Sequence, residues 1–271
     1  MTDSLQHREA PSRTPGPVRV WFREFTFYRR IWKANVLAAF VQPVLYLLGV
    51  GIGVGTLVDE GPGSTDVLGG VSYFAFYATA LLATTAMFTA SQEALWPTMD
   101  GFMWSHAYHA MVSTPIEPGE VATGLAMHHA TRTAIGATGV AAVLAVFRDT
   151  RSWGLIPAIP VATLCGMAFA LPLAAWTATR SRDISFPAIL RFAIIPMFLF
   201  GGAFYPISQL PEWLQKVAWV TPLWHGVELC RGLVLGGLEA TEALAHLAVL
   251  IAFVVGGWAA CQVTFRRRLR P

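Results

Sequence analysis

Long apolar runs, separated by short polar or charged segments, are the dominant pattern of the chain. Six of these runs reach the roughly 20 mostly apolar residues that a helix needs to cross a bilayer. They cover residues 35–57, 71–90, 121–147, 155–178, 187–207 and 242–265. The pattern therefore predicts an all-α integral membrane protein with six transmembrane helices.

A seventh apolar stretch, residues 213–235, is interrupted by Pro222, Glu228 and Arg231. Broken helices of this kind are tolerated where protein or a water-filled vestibule satisfies the backbone. We therefore predict a re-entrant helical segment before the last span. Glu228 and Arg231 lie three residues apart and can neutralise each other on one helix face. Such a pair is either structural or functional.

The residues before the first span divide into two parts. Residues 1–17 are predicted to be a disordered N-terminal tail. In residues 18–33 one helix face carries Trp21, Phe25, Tyr28 and Trp32, and another carries Arg19, Arg23 and Arg30. Aromatic residues opposite arginines are typical of an amphipathic helix lying in the membrane interface. This helix either only anchors the chain or also takes part in transport.

The segment 91–120 is too polar to span a membrane and too apolar to be a plain linker. A short helix is predicted from Phe102, Met103, Trp104, Tyr108, Met111 and Val112, and it should end at Ser113-Thr114-Pro115. A helix with exposed aromatic residues between two spans suits docking into a cleft of a partner protein. Alternatively, the segment folds against the membrane surface.

The distribution of basic residues predicts the orientation. Of the 19 Lys and Arg residues, 13 lie before the first span, after the last span or between spans four and five. Arg148, Arg151, Lys216 and Arg231 lie on the opposite side. Because basic residues favour the cytoplasmic side, both termini are predicted to be cytoplasmic, which agrees with six crossings. Residues 91–120 are then cytoplasmic by alternation, although they contain no Lys or Arg.

The composition argues against several classes of function. Hydrophobic residues make up 55% of the chain and charged residues 13%, with a mean hydropathy of +0.52, whereas soluble domains carry roughly 25% charged residues. This argues against a soluble enzyme, and a net charge of +3 gives little basis for nucleic-acid binding. The only lysines, Lys33 and Lys216, do not follow glycine, so the chain lacks a Walker A phosphate-binding loop. Any use of ATP and Mg would fall to a partner.

Two side chains inside the third predicted span can carry chemistry. His128 and Arg132 are four residues apart and share a helix face, and charges at bilayer depth usually face protein or a water-filled path. They are therefore candidates for lining the route of a polar or anionic substrate head group. Alternatively, Arg132 snorkels to the cytoplasmic interface or forms an intersubunit hydrogen bond.

The last loop carries the most specific motif. It reads Tyr205-Pro206-Ile207, Leu210-Pro211-Glu212-Trp213-Leu214, Thr221-Pro222-Leu223 and then the stretch from Glu228 to Arg231. In these residues, and in the turn Ser113-Thr114-Pro115-Ile116, the chain resembles the permease subunits of ABC-2 type exporters, including drug-resistance and nodulation-oligosaccharide permeases. The resemblance covers residues 18–271 as one transmembrane domain.

The resemblance implies a multi-pass permease of the bacterial inner membrane. Two permease chains, as a homodimer or with a sister permease, would form the path, and two separate ABC ATP-binding subunits would drive export of an amphipathic drug, lipid or glycan. The implied docking residues are Glu93, Asp100, Phe102, Trp104, Tyr108, Thr114, Pro115 and Arg23. The implied substrate-path or gate residues are His128, Arg132, Tyr205, Glu228 and Arg231. No catalytic, cofactor-binding or metal-ligating residue is predicted in this chain.

Two other classes of function fit the sequence less well. A channel or secondary transporter would work without an ATPase partner, but such proteins usually carry intramembrane acids for ion coupling. None of the 16 acidic residues lies in the middle of a predicted span. A membrane enzyme would need a cluster of His, Asp or Ser, and the histidines of this chain come in isolated pairs.

Overall fold

We describe residues 14–61 and 67–270 from a computed structural model. Every regular element in this part of the chain is helical, which confirms the all-α prediction. The first helix, α1, begins as Gly16–Tyr46 and continues through Leu47–Val54 and Gly55–Asp59. The helices that follow are α2 (Tyr73–Trp104), α3 (Ala107–Val112), α4 (Pro118–Leu144), α5 (Leu155–Thr177), α6 (Phe186–Phe200), α7 (Glu212–Val220), α8 (Pro222–Leu235) and α9 (Ala240–Leu269). Most of the predicted tail, residues 1–17, lies outside the described residues.

Three helices of the described chain, α2, α5 and α9, are long and apolar enough to cross a membrane. They overlap three of the six predicted spans. Two shorter apolar helices, Pro43–Asp59 within α1 and α6, overlap the first and fifth predicted spans. Helix α4 overlaps the third. All six apolar runs are therefore helical, while the number of crossings stays a prediction.

The N-terminal helix runs through a predicted boundary. We expected an interfacial helix over residues 18–33 and a separate span over residues 35–57. The structure has one helix from Gly16, with Pro17 in its first turn, where a missing N–H has no intrahelical partner to lose. The backbone continues without a break through both segments. A movement at one end of α1 can therefore reach the other end.

Helix α2 is longer than the apolar run that predicted it. It begins after Ser72, whose side-chain oxygen accepts a hydrogen bond from the backbone N–H of Ala75 (3.3 Å), and it ends at Trp104. The first half of the segment 91–120 therefore continues the helix of the second apolar run. An apolar run shows only which residues can face lipid. A helix can extend beyond that run if its polar side chains contact protein or water.

The short helix predicted from Phe102 to Val112 is present in part, because its second half forms α3 whereas Phe102, Met103 and Trp104 belong to α2. Helix α3 begins after His106, the one non-glycine residue of the described chain with a positive φ (50°), and it ends before Ser113. Helix α4 then starts with a capping box, in which the side chains of Glu117 and Glu120 each accept a hydrogen bond from the other's backbone N–H. The turn between α3 and α4 is thus bounded by two well-defined helix ends.

Prolines and glycines divide the C-terminal part of the chain. Helix α6 ends before Gly202, which has a φ of 78° in the left-handed region that favours glycine. The seventh apolar stretch is broken at Thr221, where α7 ends and Pro222 starts α8. This break agrees with the predicted interruption. Gly236, with a φ of 86°, follows the end of α8.

Helices α2 and α5 form the centre of the bundle, and small residues bring their neighbours close. A Cβ on Gly166 of α5 would lie 2.9 Å from the backbone oxygen of Ala86 in α2, and one on Gly226 of α8 would overlap Cys165 Sγ. Small residues allow this approach where packing rather than the hydrophobic effect joins helices. Helix α9 is peripheral, because only 17% of its most apolar stretch is buried.

Candidate functional site

Arg231 in α8 joins three parts of the bundle. Its Nη1 forms an ion pair with Glu228 Oε1 at 2.7 Å, and its Nη2 donates a hydrogen bond to the backbone oxygen of Gly202 at 2.8 Å. The guanidinium also lies over the ring of Phe76 in the first turn of α2, 3.6 Å from the ring centre. We call Arg231, Glu228, Gly202 and Phe76 the Arg231 cluster. It holds α8, the turn after α6 and the start of α2 together.

The Arg231 cluster is shielded from solvent. The side chains of Arg231 and Glu228 are 12% and 28% exposed, so each charge depends on the other for compensation. Both residues were predicted from their spacing, and the structure brings them together. Tyr205, the other candidate of this region, is half-buried and lies outside the cluster. Its neighbour Phe204 packs on Tyr77 instead, with 5.3 Å between the ring centres.

A histidine pair connects α8 to α9. The Nδ1 atoms of His225 and His246 lie 2.7 Å apart, and Nε2 of His225 lies 2.8 Å from the backbone oxygen of Trp219. Because a carbonyl oxygen only accepts, Nε2 of His225 carries a hydrogen. In the neutral pair, Nδ1 of His225 is then the acceptor and Nδ1 of His246 the donor. The ring of Trp224 packs against both imidazoles, at 4.8 and 4.9 Å.

Arg132 in α4 is the centre of a second charged cluster. Its guanidinium forms an ion pair with Glu93 in α2 and lies over the ring of Tyr28 in α1, 4.2 Å from the ring centre. The side chains of Arg132 and Glu93 are 14% and 17% exposed. We call these three residues the Arg132 cluster. In this structure Arg132 pairs with a carboxylate of its own chain, because the extension of α2 brings Glu93 alongside α4.

The aromatic face of α1 packs against α4. The indole N–H of Trp21 donates to Thr131 Oγ1 at 3.0 Å, the Trp21 ring stacks on Phe25 at 5.2 Å, and Tyr28 is buried. Tyr28 is therefore enclosed by protein, whereas Trp21 and Phe25 are half-buried, and the contact of this face with lipid headgroups stays a prediction. Of the four predicted aromatic residues, Trp32 is exposed. Helical periodicity identifies residues that share a face, but it does not tell which surface that face contacts.

His128 and its neighbour His129 lie close to the Arg132 cluster. They are 8% and 1% exposed, and Nδ1 of His128 and both ring nitrogens of His129 have no hydrogen-bond partner in the described protein. The imidazole of His128 is therefore enclosed by protein in this conformation, and its place on a substrate route stays a prediction. Among residues 14–61 and 67–270, no three His, Cys, Asp or Glu side chains are grouped so that they could hold a metal ion.

The predicted docking residues fall into two groups. Phe102 and Tyr108 are buried and pack edge to face, with 4.8 Å between their ring centres. They are core residues that support α3, so the prediction of exposed aromatics is wrong for both. Trp104, Thr114 and Pro115 are exposed and remain available to a partner.

Helix α1 touches the turn that follows α3. Nη2 of Arg19 donates a hydrogen bond to the backbone oxygen of Pro115 at 2.9 Å. Arg23, one turn further along, is half-exposed and pairs with Glu24. Asp100 lies partly buried near the end of α2. The two segments to which the resemblance assigned docking, the leader helix and the segment around α3, therefore lie side by side.

Known proteins share this sequence pattern over most of the chain. A sequence profile described as ABC-2 type transporter matches residues 18–235. The chain is 32% identical to Nodulation protein J of Rhizobium leguminosarum bv. viciae over 250 residues, which cover 92% of the chain and 93% of that protein. It is 30% identical to Nodulation protein J of Rhizobium meliloti (strain 1021) over 254 residues, 94% of each. The chain belongs to the ABC-2 type transporter family.

Family membership confirms the resemblance inferred from the residues and gives the clusters a context. An ABC-2 type transporter chain is a multi-pass membrane permease and not an enzyme. The Arg231 and Arg132 clusters both lie within the matched segment of residues 18–235. His246 lies beyond that segment, so the histidine pair connects the matched segment to α9, the last helix of this ABC-2 chain.

Sequence reasoning missed several partners in this ABC-2 chain. Tyr28 was assigned to the interface and Glu93 to docking, and no role was given to His225 or His246. A signal for Glu93 exists, because an arginine within a span requires a counter-charge on a neighbouring helix. Nothing local connects the two histidines, which are 21 residues apart on different helices.

We expect loss of the histidine pair to lower the stability of the ABC-2 chain by about 1 kcal/mol, the typical contribution of a hydrogen bond. His246→Leu removes the donor and leaves Nδ1 of His225 unpaired. His246→Asn keeps an N–H group near the position of Nδ1 and serves as the matched control. Thermal unfolding of the purified chain in detergent should give a lower Tm for the Leu variant only. Identical melting of both variants and the wild type would show that the pair does not support the fold.

Proposed function

We propose that this ABC-2 chain is the membrane permease subunit of an ATP-driven exporter that moves an amphipathic drug, lipid or glycan out of the cytoplasm. The proposal rests on one combination: the chain belongs to a family of ABC transporters, yet no Lys in its sequence follows Gly. Such a chain has no Walker A loop. ATP and Mg therefore bind to a separate ATP-binding subunit.

Two surfaces support docking of that subunit. The turn after α3 presents Thr114 and Pro115 to the outside, and Trp104 is 55% exposed beside it. Beneath this surface, Phe102 and Tyr108 are buried, so that a push on α3 is transmitted into the core rather than absorbed by a loop. We infer two ATP-binding subunits on two permease chains, with both termini of each permease in the cytoplasm of a bacterium and the spans in its inner membrane.

The Arg231 cluster lies at the start of α2, and the Arg132 cluster lies in the second half of the same helix. Phe76 and Glu93 are 17 positions apart in one helix, which corresponds to about 25 Å along its axis. With the docking surface on the cytoplasmic side, the broken segment α7–α8 is then on the outer side, where it acts as the gate. Alternating between two states of different substrate affinity would connect docking to the gate.

Reconstitution tests this function directly. The purified chain is placed in liposomes with and without the ATP-binding subunit encoded beside it, and efflux of fluorescent amphipathic substrates is measured after addition of ATP. We expect efflux only with both proteins, and none with an ATP-binding subunit whose Walker A lysine is replaced. Transport by the chain alone, or failure of any ATP-binding subunit to co-purify, would overturn the proposal.

One observation favours a second candidate, a secondary transporter that needs no ATPase. Glu93 lies within α2 and is largely buried, so the chain does carry an acid inside a helix that can span the membrane. Its ion pair with Arg132 argues for a structural counter-charge rather than an ion-coupling site. Efflux that follows an imposed pH or sodium gradient without ATP would support the secondary transporter instead.

A further inference from the structure

A basic cavity opens where the last helix ends. It has a volume of about 770 Å³ and lies between the end of α9, helix α3 and the start of α4. Arg266, Arg268 and Arg270 line it together with His109, and among the described residues Glu117 is the only acidic one in its lining. Burial and the nearby His106 and Arg268 charges lower the pKa of His109. His109 is therefore neutral at neutral pH, and the positive charge of the cavity comes from the arginines.

The three arginines have different roles. Nη1 of Arg268 donates to the backbone oxygens of Thr177, Ala178 and Arg180 near the end of α5, so Arg268 holds α9 in place. Arg266 and Arg270 are exposed and form no ion pair with any carboxylate of the described residues. These two guanidinium groups are available to an anionic ligand.

The side of α9 that carries Arg266 and Arg270 also carries exposed apolar residues. Val255, Val263, Arg266 and Arg270 fall on one side of α9 by helical periodicity, and all four are exposed. The buried Leu269 lines the cavity among the arginines. An apolar outward face that ends in unpaired arginines matches a phospholipid, with its chains along the helix and its headgroup at the end.

We propose that this cavity binds the phosphodiester headgroup of an anionic phospholipid, with Arg266 and Arg270 as its ligands. Basic groups at the end of a membrane helix attract anionic lipids, and guanidinium groups match the geometry of phosphate oxygens. The bound lipid would hold the end of α9 against α3 and α4. The site depends on the position of the chain in a membrane and not on transport, so it can be tested without the ATP-binding subunit.

Native mass spectrometry of the full chain, titrated with phosphatidylglycerol, measures this site. We expect Arg266→Gln/Arg270→Gln to weaken binding by about 30-fold, the effect of two lost juxtamembrane charges. Arg29→Gln/Arg30→Gln is the matched control, because it removes two exposed arginines of α1 outside the cavity. Its binding should change less than about twofold. Phosphatidylcholine should bind weakly to all three proteins.

Three results would overturn the proposal. Equal loss in the control variant would indicate diffuse attraction rather than a site, and inorganic phosphate competing as well as phosphatidylglycerol would identify a free anion as the ligand. If Arg266→Gln/Arg270→Gln no longer binds the ATP-binding subunit but still binds lipid, the cavity is a protein-docking surface. If this variant does not fold, Arg266→Ala and Arg270→Ala singly, checked for helicity by circular dichroism, must each weaken binding.

Discussion

Replacing Arg231 with methionine is expected to lower the free energy of unfolding by about 3 kcal/mol, because removal of one member of a largely buried ion pair leaves the other charge uncompensated. Methionine fills much of the space of the arginine stem. It loses the ion pair with Glu228, the hydrogen bond to the Gly202 backbone and the contact with the Phe76 ring. Denaturant unfolding of the purified chain in detergent, followed by circular dichroism, measures the change.

Two further variants test whether the loss of stability is specific to the ion pair of Arg231. Arg267→Met removes an exposed arginine at the end of α9 that has no ion pair in the described chain, and it should change stability by less than about 0.5 kcal/mol. Glu228→Gln/Arg231→Met removes both charges and should recover part of the loss. Equal stability of Arg231→Met and Arg267→Met would show that the cluster does not hold the fold.

A stability loss at Arg231 should also disturb the proposed gate. The side chain joins α8 to the turn at Gly202 and to α2, so without it the α7–α8 segment has lost a fixed point on the bundle. In the reconstituted complex we expect leakage of substrate in the absence of ATP. A folded Arg231→Met variant with tight, ATP-dependent efflux would leave the cluster a purely structural role.

The features that were predictable from the sequence are those encoded within a few residues. Apolar runs predicted where helices form, Pro222 predicted the break between α7 and α8, and the three-residue spacing of Glu228 and Arg231 predicted their ion pair. Each of these depends on the local backbone or on one helix face. The ABC-2 family was likewise recognisable because its motifs are short runs of residues that are contiguous in the sequence.

The missed features all depend on which helices become neighbours. Glu93 and Arg132 are 39 residues apart, and their meeting requires both the extension of α2 and its packing on α4. The polarity of Glu93 made it resemble a loop residue, because its counter-charge was not visible in the sequence. In the same way, the hydrogen bond from Trp21 in α1 to Thr131 in α4 was not visible in the sequence.

The Arg132 cluster gives the second large effect. Glu93→Gln should lower the free energy of unfolding by about 3 kcal/mol, since the guanidinium of Arg132 would lose its carboxylate inside the bundle. Reversing the pair in Glu93→Arg/Arg132→Glu should recover part of this loss, because it restores opposite charges at similar positions. The fraction of monodisperse protein after heating, measured by size-exclusion chromatography, checks the order. If the reversed pair is no better than Glu93→Gln, compensation of charge is not what stabilises the contact.

Variants of Tyr28 distinguish an effect of the Arg132 cluster on stability from an effect on the coupling of ATP hydrolysis to transport. Helix α1 holds the docking turn through Arg19 and contacts Arg132 through the Tyr28 ring, so a movement of the turn can pass along one continuous helix into α4. Tyr28→Phe keeps an aromatic face for the guanidinium, whereas Tyr28→Leu removes a cation–π contact of about 1 kcal/mol. In the reconstituted complex, the Leu variant should move less substrate per ATP hydrolysed at an unchanged rate of ATP hydrolysis, and the Phe variant should match the wild type. Unchanged transport per ATP in a folded Tyr28→Leu complex would mean that docking reaches the path through α2 and α3 instead.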